Sequence, residues 1–318
     1  MRAAACLFCW LGATAAQDRP FRVQTKVVQV PVAVSDKRAG SIDGLTAGDF
    51  IVLDNRVAQE VTLDDFGTDL ARISLVVAIH SSGTSKMALA YIRRIGGMIQ
   101  PLVTGVGGEV AVVSFGDEIE WLQDFTTDDE KIRIAIRNLK PGSSAGARIF
   151  DTIAGAVDRI RLRKGRRILL LISQSNDAGS RTTFHQAAEA VEREGIEVFA
   201  AHYSAYAMSW IAKPEDFPEK PDLDQMFFTE LARIGATNHV KALAQATGGS
   251  DYPFARQRGI EIAIGQLGAE IHSQYILSFP QRQNTPGMHQ IEVSLPGRAD
   301  LRVRWRRAYW VDRTVPAQ

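Results

Sequence analysis

The stretch Ile73-Ser-Leu-Val-Val-Ala-Ile-His80, running into Ser81-Ser-Gly-Thr-Ser85, decides the fold. Apolar residues occupy both parities of the run, the pattern of a strand buried on two faces rather than one. The strand delivers small hydroxyl side chains onto a tight loop ahead of a helical run. In an open α/β sheet, the crevice beyond the carboxyl ends of such strands is where ligands bind. His80, Ser82 and Thr84 are therefore the first candidate binding residues.

Working outward, strand-like and helical runs alternate between Ser74 and His272. The strand-like runs are 75–79, 109–115, 119–122, 167–173 and 197–202. The helical runs are 86–102, 128–139, 149–162, 183–194, 224–234, 240–245 and 256–273. Thr127 with Glu130 predicts a capping box at the head of the second. Both ends of the chain read as β. From Phe21 the sequence alternates, with Val23, Thr25, Val27, Gln29, Pro31 and Ala33 against Gln24, Lys26, Val28, Val30, Val32 and Val34, then come short runs at 49–53 and 58–63 with Asp54-Asn55-Arg56 as the turn between them. Strand pattern returns at 274–280, 287–294 and 301–306. The expectation is an α/β fold, a doubly wound, mostly parallel sheet over 70–273. Segments 20–68 and 274–312 pack together as a small β-sandwich.

The loop at His80-Ser-Ser-Gly-Thr-Ser85 resembles the Asp-x-Ser-x-Ser loop of von Willebrand factor type A domains. The phrase Val34-Ser-Asp-Lys-Arg-Ala-Gly40 through Gly44-Leu-Thr-Ala-Gly-Asp-Phe50 is similar to the lead-in of a bacterial family related to those domains. So is the ending Gln274-Tyr-Ile-Leu-Ser-Phe-Pro280, Gly287-Met-His-Gln-Ile-Glu-Val293 and Val303-Arg-Trp-Arg306. The resemblance implies a metal-ion-dependent adhesion site, in which a carboxylate, two hydroxyls and a threonine hold Mg²⁺ and a partner's carboxylate completes the coordination. This chain departs from that pattern at each loop. His80 stands at the first carboxylate, Gln174 at the second, and Ala147 in the threonine slot, with Ser143 and Ser144 nearby. Mg²⁺ demands oxygen ligands in near-ideal octahedral geometry, and neutral side chains do not offset its charge. The reading is a degenerate site with no cofactor, Mg²⁺ entering only if that site still binds it. A small polar pocket of Ser82, Thr84 and Asp177 remains.

The 318 residues carry 45% hydrophobic and 23% charged side chains, ordinary globular composition. Lys+Arg 37 against Asp+Glu 36 gives no basic excess, so nucleic acid is not an expected partner. Met1-Arg2 followed by an apolar run and Ala13-Thr-Ala-Ala16 has the order of a secretory signal peptide over 1–16. Both cysteines, Cys6 and Cys9, fall inside it, leaving no thiolate nucleophile or Cys-ligated zinc after cleavage. No later apolar run reaches the ~20 residues of a membrane helix. The expected location is periplasmic or extracellular.

Gly142-Ser-Ser-Ala-Gly146 fits G-x-S-x-G with Ser144 as nucleophile, but that elbow needs a strand before it, and a helical run followed by Pro141 precedes it here. The six histidines show no metal-binding spacing, and His80 is read as a polar filler bonded to Ser82 or Gln174. The basic run at 161–167 is read as complementing helix ends. Trp305, Tyr309 and Trp310 are read as packing the β module. Residues 204–221, rich in Pro, read as an insertion overhanging the His80 rim. The functional expectation is an exported, non-enzymatic protein-binding, adhesion or scaffolding module with a protein partner. A serine hydrolase using Ser144 and a purely structural envelope protein are the alternatives.

Overall fold

The computed structural model describes residues 26–38, 40–64, 72–103, 107–174, 176–204, 238–283 and 285–312. The expected signal peptide, the helix at 224–234 and nearly all of the 204–221 insertion lie outside them.

The opening stretch forms β5 (Ile73–His80), all eight residues buried. It sits mid-sheet, hydrogen-bonded on one side to β6 (Glu109–Phe115) and on the other to β8 (Arg166–Ser173). The sheet has the order β10-β9-β8-β5-β6-β7, with β9 at Glu197–His202, β10 at Asp251–Pro253 and β7 at Ile119–Thr126. All pairings are parallel except that of β7, which returns antiparallel along the edge. Alternation then sorts the side chains. Leu75, Val77 and Ile79 enter one apolar layer, beneath α1 (Lys86–Ile92), α2 (Gly96–Ile99), α3 (Asp129–Arg137) and α7 (Gln257–Ser273). Val76 and Ala78 enter the other, beneath α4 (Ile149–Ile160), α5 (Phe184–Glu194) and α6 (His239–Thr247). The α7 stripe of Ile260, Ile264, Leu267 and Ile271 shows the helical spacing that buries one face.

The two ends of the chain build a sandwich of two antiparallel four-stranded sheets. One has the order β13-β1-β11-β4 and the other β14-β12-β2-β3, with β3 at Val57–Gln59 and β4 at Thr62–Leu63. In the first, β1 (Val27–Ser35) lies between β11 (Tyr275–Pro280) and β13 (Arg302–Trp305). In the second, β12 (Gly287–Ser294) lies between β2 (Ile51–Asp54) and β14 (Ala308–Val311). Val28, Val30, Val32 and Val34 point into its core with Tyr309, and Trp305 packs beside them. The α/β fold with a terminal β-sandwich is thus the observed architecture.

Several local expectations differ from the structure. The run at 58–63 splits into β3 (Val57–Gln59) and β4 (Thr62–Leu63), which join different sheets. The hairpin turn narrows to Asn55 and Arg56, both at positive φ (47° and 68°), the geometry of a tight two-residue hairpin. The single helix expected at 86–102 breaks into α1, α2 and a 3-10 turn at Gln100–Val103, as Gly96, Gly97 and Pro101 disfavour a continuous helix. The Thr127–Glu130 capping box does not form. Asp128 is the cap, its carboxylate accepting from Glu130 N and Lys131 N. Strands β10 and β14 were not expected at all.

Candidate functional site

Strand order places β5 at the point where the chain turns from one half of the sheet to the other, with β6 on one flank and β8 on the other. The crevice outside the carboxyl ends of two such strands is the usual ligand position in this class of sheet. Three loops meet there. Gly142 N donates to Ser81 O over 2.5 Å and Gly83 N to Ser144 O over 2.6 Å, zipping the loop after β5 to the one before α4. A Cβ on Gly83 would lie 2.9 Å from Ser144 O, so glycine permits this approach.

His80 is wholly buried. Its Nε2 lies 2.9 Å from Gly146 O, a pure acceptor, so that nitrogen carries a proton. Its Nδ1 lies 3.2 Å from the Tyr203 hydroxyl, whose oxygen is also 2.9 Å from Ser85 Oγ. The ring is stacked against Phe115 and Tyr203, at 5.4 and 6.5 Å between centroids. The expected bonds to Ser82 or Gln174 are therefore replaced by bonds to Gly146, on the α4 loop, and Tyr203, just past β9.

A second chain meets this network where Ser82 Oγ lies 3.5 Å from Ser85 Oγ. Gln174 Nε2 donates to Thr84 Oγ1 over 2.8 Å, and Thr84 Oγ1 is 2.9 Å from Ser82 Oγ. Gln174 is 1% exposed, and its Oε1 is buried without a hydrogen-bond partner among the described residues. Ser82, Thr84 and Gln174 thus come together, whereas the pocket expected from the sequence was Ser82, Thr84 and Asp177.

Asp177 does not join them. Its Oδ1 accepts from Phe150 N over 3.0 Å and from Ser180 Oγ over 2.6 Å, which caps the first turn of α4. Asp151 of α4 reciprocates, accepting from Thr182 N over 2.8 Å and from Arg181 N over 3.1 Å. Burial opposes charge on Asp151. The hydrogen bonds from Thr182, Arg181 and Arg148 outweigh it and hold the carboxyl well below the usual aspartate range. Ala147 is buried and bridged to Ala178, so the threonine slot faces the core. Among the described residues no three His, Cys, Asp or Glu side chains gather as a metal could require. Two hydroxyls and a neutral amide supply oxygen but no charge, and this donor set does not fit Mg²⁺.

Ser143 is exposed and Ser144 half-buried; both lend backbone carbonyls to the Gly83 approach. No histidine or carboxylate hydrogen-bonds the Ser144 hydroxyl among the described residues, and the segment before it follows α3 rather than a strand. Sequence reasoning missed Tyr203, Ser85, Asp151 and Ser180. Tyr203 was findable, because it comes one residue after His202, which the sheet register sets level with Ser173 and His80.

No protein-family model matches the chain, and no curated protein matches it. Among solved structures it is similar to a von Willebrand factor type A protein from Catenulispora acidiphila, at 10% identity and TM-score 0.46, covering 92% of this chain and 76% of that one. It is also similar to the conserved hypothetical protein BatB from Bacteroides thetaiotaomicron, at 15% identity and TM-score 0.45, covering 62% of this chain and 99% of that one. A third is the vWF domain of the type V pili tip protein Mfa5 from Porphyromonas gingivalis, at 13% identity and TM-score 0.42, covering 63% and 95%.

Proposed function

We propose that this chain is an exported, non-catalytic protein-binding or scaffolding module whose recognition surface is the rim of the β5, α4 and β8 loops, and that it works there without a metal. The observation that carries the reading is the Gln174–Thr84–Ser82 chain. It fills the switch-point crevice with neutral groups bonded to one another, where the family resemblance calls for an ion. A partner's carboxylate would find no cation to complete. Recognition then rests on shape and hydrogen bonds, for which the exposed small residues Gly142, Ser143 and Ala145 allow close backbone approach. The signal-peptide pattern supports export. Among the described residues, no helix is long and apolar enough to cross a membrane.

The test is affinity capture from envelope and secreted fractions in chelator, comparing the native chain with a Ser143→Arg, Ser144→Arg variant. A partner retained in chelator and lost from the variant supports the reading. A partner that requires Mg²⁺, or none that the variant loses, overturns it, the latter in favour of a purely structural envelope role. Fluorophosphonate labelling that disappears in Ser144→Ala would overturn it in favour of a hydrolase.

A further inference from the structure

At the opposite end of the sheet, where the sandwich meets the starts of β8 and β9, lies a cleft of about 380 Å³. Arg166 and Arg167 of the basic run line it. Arg167 Nη1 donates to Arg161 O at the end of α4 over 3.3 Å, and Arg166 Nη1 to Ile271 O near the end of α7 over 2.8 Å. From the sandwich, Arg306 Nη2 donates to Glu192 O in the last turn of α5, and Arg304 Nε to Gly248 O after α6 over 3.1 Å. Cations at these carbonyls complement the helix dipoles.

Their charges are not equally compensated. Arg166 meets Glu197 at 3.1 Å and Arg167 meets Glu194 at 3.8 Å. Arg193 meets Glu189 at 3.0 Å and lies 4.4 Å over the Trp310 ring. Arg306 is half-buried and has no ion pair among the described residues, and the exposed Lys26 at the mouth has none either. The lining holds five basic residues, Lys26, Arg166, Arg167, Arg193 and Arg306, against three acidic ones, Glu194, Glu197 and Asp312. Arg306 spends one nitrogen on Glu192 O, and its Nε and Nη1 bond nothing among the described residues. Burial, then the neighbouring Arg167, push its guanidinium down to about 10 despite the opposing pull of Glu192 and Glu197. The site is also shaped for this group: Gly195, at φ +64°, would place a Cβ 2.8 Å from Arg306 Nη1.

A desolvated charge with no counterion in direct contact is costly, and an arriving anion relieves that cost. A guanidinium with free donors favours forked hydrogen bonding to an oxyanion. The volume is that of a small-molecule site at a domain junction. We infer that this cleft binds a small molecule bearing a phosphate or carboxylate group, anchored by Arg306 and admitted past Lys26, with Tyr309 and Trp310 forming a wall.

The test is calorimetric titration of the full chain at low ionic strength with inorganic phosphate and, separately, with citrate. Saturable binding of either is expected, and which one binds more tightly distinguishes the phosphate from the carboxylate source. Arg306→Gln should weaken it at least about tenfold, the worth of a charge-assisted hydrogen bond. Lys26→Gln should weaken it about threefold, as for an exposed charge. Failure of both anions to bind by about 10 mM, a free energy near 3 kcal/mol, overturns the inference. So does unchanged affinity in a folded Arg306→Gln. Should that variant not fold, Lys26→Gln decides, and native affinity in it overturns the inference. The cleft lies at the other end of the strands from the rim, so its failure leaves the rim reading standing.

Discussion

Gln174 Nε2 and Thr84 Oγ1, 2.8 Å apart, join the loop after β8 to the loop after β5 across the switch point of the sheet. Both partners are polar groups at a buried seam, so removing one strands the other. Thr84→Val should lower unfolding stability by about 1–3 kcal/mol in urea titration. The double variant Thr84→Val, Gln174→Leu should lose less than the sum of the two single losses. Additive losses would show that the bond does not hold the seam.

The reciprocal caps predict a second effect. Asp177→Ala removes the acceptor for Phe150 N and Ser180 Oγ and should cost about 0.5–2 kcal/mol, as other N-cap losses do. Denaturant unfolding of the variant measures it.

Asp151 makes the acid side of the stability curve its own test. Its carboxyl is held below its unfolded value, so its contribution is fully present above the ordinary aspartate range, near pH 3.9. The contribution is lost as pH falls below that range toward the folded value. Asp151→Asn should therefore flatten the fall in melting temperature below about pH 4. An unchanged acid slope would contradict the hydrogen-bond account of Asp151.

His80 is a framework residue of the rim. His80→Asp would bury a carboxylate and leave Gly146 O without its donor, and should cost on the order of 3 kcal/mol or more. A thermal melt within error of the native protein would show that the Gly146 bond is not formed.

Much of this was legible in the sequence because periodicity reports burial. The apolar run at β5, the valine alternation of β1 and the α7 stripe each pointed to the face they bury. Local competition was less legible. Asp128 lies one residue beyond Thr127 and took the cap, and Gly96, Gly97 and Pro101 broke a helix whose apolar pattern runs straight through. Short edge strands such as β10 and β14 carry too few residues to show a period. The loops holding Ser82, Thr84 and Gln174 were locatable because they follow the carboxyl ends of the adjacent parallel strands β5 and β8. The partners of Asp177 and His80 were not, because Phe150 N and Gly146 O are backbone groups that composition cannot announce.

The central claim is that the rim works without a metal, and calorimetric titration of the native chain with Mg²⁺ and Mn²⁺ tests it most directly, with Gln174→Asp run in parallel. That substitution places a carboxylate beside Thr84 without disturbing buried His80 or Ala147. The neutral Ser82–Thr84–Gln174 chain predicts no heat from the native protein and saturable heat from the variant. Saturable binding by the native protein would contradict a metal-free rim and restore cation-dependent recognition.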